Sequence, residues 1–121
     1  MSETIVYLNG RFIPETEAHI SLYDMAVVLG ATVTEMTRTF HHQPFRLDDH
    51  IDRLYKSLRY IGVDVGLPPS DLTEATLRVV KHNAGCTHKE DELGIVHFVT
   101  GGEFHEYVGS AGRAARVQPT V

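Results

Sequence analysis

The spacing of hydrophobic residues along this chain of 121 residues changes from every second position in some segments to every third or fourth in others. Residues 4–8 and 11–13 are rich in β-branched and aromatic side chains and flank Asn9-Gly10, which predicts a β-hairpin at the start of the chain. Residues 32–40 and 93–100 predict two longer strands, because β-branched and apolar residues dominate them.

Two long helices are predicted between these strands. From residue 47 to residue 61 the apolar residues recur mostly three or four positions apart, which predicts a helix with one apolar stripe and Asp48 as its N-cap. The stripe consists of Leu47, Ile51, Leu54, Tyr55, Leu58 and Ile61. A second helix is expected to begin at residues 68–70 (PPS) and to stop at Gly85, and a shorter one is expected to end at Gly30.

The order of these elements predicts an α+β fold. Its architecture would be a two-layer sandwich, in which two helices cover one face of a mainly antiparallel sheet. With 42% hydrophobic residues, a chain of this length can bury one core but not two, so residues 1–121 are expected to form a single domain. Residues 116–121 (RVQPTV) predict the beginning of a further strand.

The composition argues against several classes of function. A net charge of -5 and a pI of about 5.8 leave no basic surface for a run of phosphates, so nucleic-acid binding is not expected. No apolar stretch is long enough for a signal or a membrane span, and the single cysteine, Cys86, cannot form an internal disulfide; a cytoplasmic protein is therefore expected. The eight histidines lack the paired spacing of metal ligands, and no metal site is expected.

Charged side chains occur where the pattern otherwise indicates a core. Glu35 and Arg38 fall on opposite faces of one predicted strand, so at least one of them must face something other than a dry interior. On the first long helix, Arg53 lies beside the apolar stripe and shares a face with His50. Two interpretations of Arg53 remain open at this point: a salt bridge or a snorkelling side chain, and a bound phosphate or carboxylate.

Four stretches, in this order, resemble the N-terminal, smaller domain of the fold type IV enzymes that depend on pyridoxal 5'-phosphate (PLP), a family that includes branched-chain and D-amino acid aminotransferases and aminodeoxychorismate lyases. They are residues 7–14 (YLNGRFIP), 21–24 (SLYD), 29–35 (LGATVTE) and 44–54 (PFRLDDHIDRL). Residues 82–85 (HNAG) and 98–102 (FVTGG) add support. The resemblance covers essentially the whole chain.

The resemblance implies roles for four residues. The arginine of the family's His-x-x-Arg-Leu motif, here Arg53, binds the cofactor phosphate, for which a forked and permanently charged donor is suited. Leu29, Thr34 and Arg38 are implied to border the substrate pocket. The catalytic lysine of the family comes from a larger C-terminal domain, which we expect to be absent from residues 1–121. No lysine of this chain matches it, and no catalytic residue is expected here; the lysines are Lys56, Lys81 and Lys89.

The function implied by the resemblance is PLP-dependent transfer of an amino group between an amino acid and a 2-oxo acid, by a homodimer, with this chain inactive alone. Leu29 and Thr34 stand where many relatives have aromatic residues, so no relative's substrate preference is transferred. Two alternatives remain: a PLP-dependent lyase of the aminodeoxychorismate type, and a stand-alone interaction module without catalysis.

Overall fold

Helices and strands follow one another along the chain in much the order that the hydrophobic pattern predicts. The computed structural model describes residues 3–104 and 119–121. Within them the strands are β1 (Ile5–Leu8), β2 (Arg11–Pro14), β3 (Thr32–Phe40), β4 (Gln43–Pro44) and β5 (Gly94–Thr100), and the helices are α1 (Met25–Leu29), α2 (Leu47–Ile61) and α3 (Pro69–Ala84). Strands β4, β3 and β5 form one antiparallel sheet in that order, and β1 pairs with β2 alone. The predicted α+β fold is confirmed.

The opening hairpin has the turn that its sequence predicts. Asn9 and Gly10 both have positive φ angles, 49° and 87°, as a two-residue turn with right-handed strand twist requires. The register places Leu8 opposite Arg11 and continues to Ile5 opposite Pro14.

The core lies between the sheet and the two long helices. Leu54 of α2 is completely buried, and it packs with Leu72 of α3 and Val99 of β5. The other buried members of this cluster are Leu47, Ile51 and Leu58. These α2 residues belong to the predicted stripe, because one apolar face of a helix must meet the apolar face of a neighbouring layer. Tyr55 is partly buried, and the last predicted member, Ile61, is 54% exposed at the end of the helix.

The start of α2 differs from the prediction. The helix begins at Leu47 and its N-cap is Arg46, in the left-handed conformation with φ 53°, so Asp48 lies in the first turn and does not cap it. Asp48 and Asp49 still favour this end electrostatically, since the helix dipole is positive there. The two predicted ends hold, because α3 stops at Gly85 and α1 stops at Gly30. Gly62 closes α2 with φ 76°.

The two faces of β3 have opposite environments. Glu35, Thr37 and Thr39 are buried on the helix side, whereas Thr34 and Met36 are exposed on the other side, here called the outer face. Arg38 and Phe40 share that face. This is the alternation expected of a strand with one face against a core.

No helix in the described part of the chain is long and apolar enough to cross a membrane. Half of the predicted strand at residues 116–121 falls outside the described residues, which include only its last three positions.

Candidate cofactor-binding site

A buried carboxylate holds two side chains of α2 at the surface of the domain. Glu35 points from β3 toward α2, where His50 and Arg53 lie three residues apart on one face of the helix. The Nε and Nη2 atoms of Arg53 donate to the two carboxylate oxygens of Glu35, and the Nη2–Oε2 distance is 2.9 Å. The Nδ1 atom of His50 lies 2.9 Å from the same Oε2. One carboxylate thus orients both side chains.

The charges of this cluster reinforce one another. The hydrogen bond from Arg53 lowers the pKa of Glu35 below its ordinary value; burial opposes that shift, and His50 adds to it. The hydrogen bond to Glu35 in turn raises the pKa of Arg53. Glu35 and Arg53 are therefore both charged near neutral pH.

Arg53 keeps donors available for an anion. Its side chain is 67% exposed while that of Glu35 is 7% exposed, so the carboxylate lies beneath the guanidinium and leaves its outer side open to solvent. A guanidinium carries five N–H groups, and only two of the Arg53 nitrogens, Nε and Nη2, donate to Glu35. The Nη1 group and the outer Nη2 hydrogen have no bonded partner among the described residues. A phosphate dianion suits such a fixed, forked donor.

A second histidine lies behind Glu35 in the core. His97 of β5 pairs with Glu35 across the sheet and is buried. Its Nε2 lies 2.9 Å from Oγ1 of Thr76, whose hydroxyl donates to the Leu72 carbonyl at 2.7 Å. Because that hydroxyl hydrogen is used, Nε2 of His97 must be the donor, and Nδ1 is left as a buried acceptor without a partner among the described residues. Burial lowers the pKa of His97, so it is neutral near pH 7.

Two of the three residues implied to border a substrate pocket lie on the other side of β3. Thr34 and Arg38 are on the outer face, and Leu29 is 57% exposed at the end of α1. The Arg38 guanidinium lies 4.1 Å from the Phe40 ring centroid, and its Nε donates to the Thr39 carbonyl at 3.1 Å. Arg38 forms no ion pair within the described residues, so its charge is held by a ring and a carbonyl.

One edge of β3 separates the two faces that carry these residues. β4 pairs only with Thr39 and Phe40, so the edge of β3 away from β5 is free along Thr34 and Glu35 in the described part of the chain. The structure therefore brings Arg53, His50 and Glu35 together on the helix side, and groups Thr34 with Arg38 on the outer face. It forms no cluster of three or more His, Cys, Asp or Glu side chains suited to a metal ion within residues 3–104 and 119–121.

Sequence reasoning singled out Arg53 but did not identify Glu35 as its partner, nor His97 as a buried neighbour. The signal for both was the strand register. Glu35 occupies the same face as Val33 and Thr37, and His97 alternates with apolar residues along β5. Both positions therefore point into the core, where a polar group requires a partner.

Known proteins resemble this chain in sequence and in fold. The family Amino-transferase class IV matches residues 32–116. A putative branched-chain-amino-acid aminotransferase of Methanocaldococcus jannaschii is 33% identical over 78 residues, which cover 64% of this chain and 27% of that protein.

Solved structures extend the likeness beyond the matched sequence. A branched-chain aminotransferase from Thermoproteus uzoniensis with norvaline has a TM-score of 0.77 and 25% identity, covering 98% of this chain and 39% of that one. A second branched-chain amino acid aminotransferase, solved with pyridoxamine 5'-phosphate, has a TM-score of 0.72 and 27% identity, covering 84% of this chain and 33% of that one. The chain thus spans between about a quarter and two fifths of the length of these proteins.

The resemblance to the N-terminal domain of fold type IV aminotransferases is therefore confirmed, and this chain belongs to the class IV amino-transferase family.

Proposed function

We propose that this chain supplies the phosphate-binding arginine and one wall of the substrate pocket of a PLP-dependent aminotransferase. The reaction is the transfer of an amino group between an amino acid and a 2-oxo acid. The observation that carries the proposal is the pairing of Glu35 with Arg53, which presents unused N–H donors at the surface.

The residues present suit the cofactor in charge and in donor geometry. Arg53 would bind the phosphate of PLP, and Glu35 and His50 would hold its guanidinium in place. Bound PLP supplies an electron-withdrawing ring that labilises bonds at the amino acid's α-carbon. The lysine that this chemistry needs is assigned to a part of the protein beyond these residues.

The outer face of β3 is proposed as the wall of the substrate pocket. Thr34 and Arg38 line it, with Met36 exposed between them, and Leu29 at the end of α1 is proposed to complete it. A wall of this composition would contact an apolar substrate side chain through Met36 and Leu29, and Arg38 would offer a charge for a carboxylate. We further propose that the protein acts as a cytoplasmic homodimer.

The experiment is a titration of the chain with PLP and with inorganic phosphate, followed by the amide chemical shifts of α2. Arg53→Ala is expected to weaken the binding of both by on the order of tenfold or more, because a charge-assisted pair of hydrogen bonds is removed. Arg59→Ala removes the same charge from the last turn of the same helix and is the matched control. Equal affinities of Arg53→Ala and the natural chain would remove the basis of the proposal.

Two further measurements separate the alternatives. In a protein that joins this chain to a lysine-bearing domain, amino transfer to 2-oxoglutarate indicates an aminotransferase, whereas pyruvate release indicates a lyase. In the chain alone, borohydride is expected to trap no PLP on Lys56, Lys81 or Lys89. A trapped lysine would contradict the assignment of that role to another part of the protein.

A further inference from the structure

The turn between β3 and β4 contains two residues in the left-handed conformation, and neither is a glycine. His41 and His42 have φ angles of 51° and 61°. A two-residue hairpin turn requires this conformation, in which a Cβ atom is strained, so glycine and asparagine are preferred there. A turn of two histidines therefore depends on support from the structure around it.

Glu92, in the segment before β5, supplies this support. Its Oε1 atom accepts from the His41 amide at 2.7 Å, and its Oε2 atom accepts from the His42 amide at 3.3 Å. Oε2 also accepts from the Thr39 hydroxyl, whose oxygen accepts in turn from the Leu93 amide at 2.8 Å. One carboxylate thus joins both turn amides to the end of β3.

The charge of Glu92 strengthens these bonds. The hydrogen bond from Thr39 lowers the pKa of Glu92 below its ordinary value; burial opposes that shift, and the amides of His41 and His42 add to it. Glu92 is therefore ionised near neutral pH, and an ionised carboxylate accepts stronger hydrogen bonds than a neutral one. The ring of His42 adds a further bond, since its Nε2 donates to the Asp91 carbonyl at 2.7 Å.

Residues on both sides of this turn hold the side chain of Arg38. Its Nε donates to the Thr39 carbonyl, and its guanidinium lies 4.1 Å from the Phe40 ring centroid. The Phe40 ring packs edge-to-face against the Phe45 ring, with 5.4 Å between the centroids. The Phe45 amide donates to the Arg38 carbonyl at 2.8 Å. The position of the guanidinium therefore depends on a closed turn.

We propose that Glu92 is a positioning residue, which closes the turn at His41 and His42 and thereby fixes the Arg38 guanidinium on the outer face. The inference rests on the proposed function, in which Arg38 offers its charge to a substrate carboxylate. Without Glu92 the strained turn opens more often, and the Phe40 ring leaves its place beside the guanidinium. Affinity for the substrate then falls, because a mobile arginine must lose conformational entropy when it binds.

NMR of the chain tests the positioning without any substrate. The Phe40 ring is expected to shift the protons of the Arg38 side chain upfield, and Glu92→Ala is expected to reduce this shift about twofold or more. Exchange of the His41 and His42 amides is expected to quicken about tenfold or more. Glu92→Gln keeps one acceptor oxygen and is expected to give intermediate values. Glu90→Ala removes an exposed carboxylate from the same segment and is the matched control.

The Leu54 amide in the core reports that each variant is folded. Unchanged Arg38 shifts and unchanged exchange of the turn amides in folded Glu92→Ala would overturn the proposal and leave the role of Arg38 standing. Equal effects of Glu92→Ala and Glu90→Ala would do the same. Should Glu92→Ala fail to fold, Glu92→Gln decides by the same two measurements.

Kinetics test the consequence for the substrate, in a protein that joins this chain to a lysine-bearing domain. Arg38→Ala is expected to raise the KM for a 2-oxo acid about tenfold, and Glu92→Ala about threefold, with kcat little changed. In an Arg38→Ala chain, Glu92→Ala is expected to raise the KM no further, because its effect passes through Arg38. Additive increases would overturn the positioning role. An unchanged KM in Arg38→Ala would overturn the assignment of Arg38 to the pocket, and with it this role of Glu92.

Discussion

At the scale of single residues, the cluster around Glu35 consists of a buried negative charge, the Glu35 carboxylate, beneath an exposed positive charge, the Arg53 guanidinium. The carboxylate is buried, but both of its oxygens accept hydrogen bonds from α2, so its desolvation is offset by Arg53 and His50. Arg53 remains exposed to solvent above it. An anion that binds Arg53 therefore meets a guanidinium whose orientation is already set, which lowers the entropic cost of binding.

Glu35→Gln tests the ion pair through its pH dependence. Because the pKa of Glu35 is lowered in the folded state, its contribution to stability is present above the ordinary glutamate range and is lost as the pH falls through the folded-state value. The variant is expected to be less stable than the natural chain at about pH 7, with a difference that shrinks toward about pH 3. Urea unfolding at both pH values measures this. Glu74→Gln, on the exposed side of α3, is the control, and a constant difference for Glu35→Gln would contradict the expectation.

His97 predicts a second pH effect. Burial lowers its pKa, so the unfolded chain binds a proton more readily, and stability is expected to decline as the pH falls below the ordinary histidine value of about 6.5. Glu35 favours the charged form of His97 and His50 opposes it, but both effects are smaller than that of burial. His97→Gln keeps a donor toward Thr76 and cannot titrate. Its urea unfolding curves are expected to change less between about pH 7 and about pH 5 than those of the natural chain; an equal change would assign the effect to another group.

At the scale of elements, glycines in the left-handed conformation end two of the helices. Gly30 after α1 and Gly62 after α2 have φ angles of 65° and 76°. At Gly62 the amide donates to the carbonyls of Leu58 and Arg59, and the Val63 amide also donates to the Leu58 carbonyl, so the carbonyls at the end of α2 gain partners. The direction in which the chain leaves α2 toward α3 depends on this one backbone conformation.

Gly62→Ala is expected to destabilise the fold by about 1 kcal/mol, because a Cβ atom is strained at this φ angle although no other atom lies within 4 Å of it. Gly94→Ala in β5 is the matched control, since its Cβ atom also meets nothing within 4 Å and its φ angle is not in the left-handed region. Urea denaturation of both variants measures the difference. Equal stabilities would show that the helix end tolerates a side chain there.

At the scale of the whole molecule, one face of the sheet is covered and the other is exposed. Helices α2 and α3 cover one face. The outer face exposes apolar side chains, with Met36 67% and Val96 58% exposed on neighbouring strands. Contiguous exposed apolar surface of this kind is typical of an interface with another domain or subunit.

The outer face is the predicted interface of the proposed homodimer. The chain is expected to self-associate, and Val96→Lys is expected to weaken association by on the order of tenfold, because a valine contact in the interface is lost and a charge must be desolvated. Tyr60→Lys, at a position 92% exposed on α2, is the control. Sedimentation equilibrium measures the dissociation constants. A natural chain that stays monomeric, or equal effects of the two variants, would place the interface elsewhere.

Local patterns were sufficient for most of the elements. The Asn9-Gly10 turn, the apolar stripe of α2 and the limits of α3 depend on contacts within a few residues of the chain, and each was predicted. The predicted N-cap of α2, Asp48, was wrong. The helix starts after a left-handed turn at Arg46, and the conformation of that turn depends on how the chain leaves β4, which a capping side chain alone does not decide.

The sequence by itself determined the α+β order of elements, the alternation that puts Glu35 and Arg38 on opposite faces of one strand, and the motif that singles out Arg53. Only the tertiary structure decided that Glu35 and Arg53 meet, that His97 lies behind them, and that Glu92 binds the turn after β3. The physical reason is the range of the forces involved. Periodicity records which face of an element is buried, whereas the partner of a buried charge or of a turn amide comes from distant parts of the chain and is set only when the layers pack.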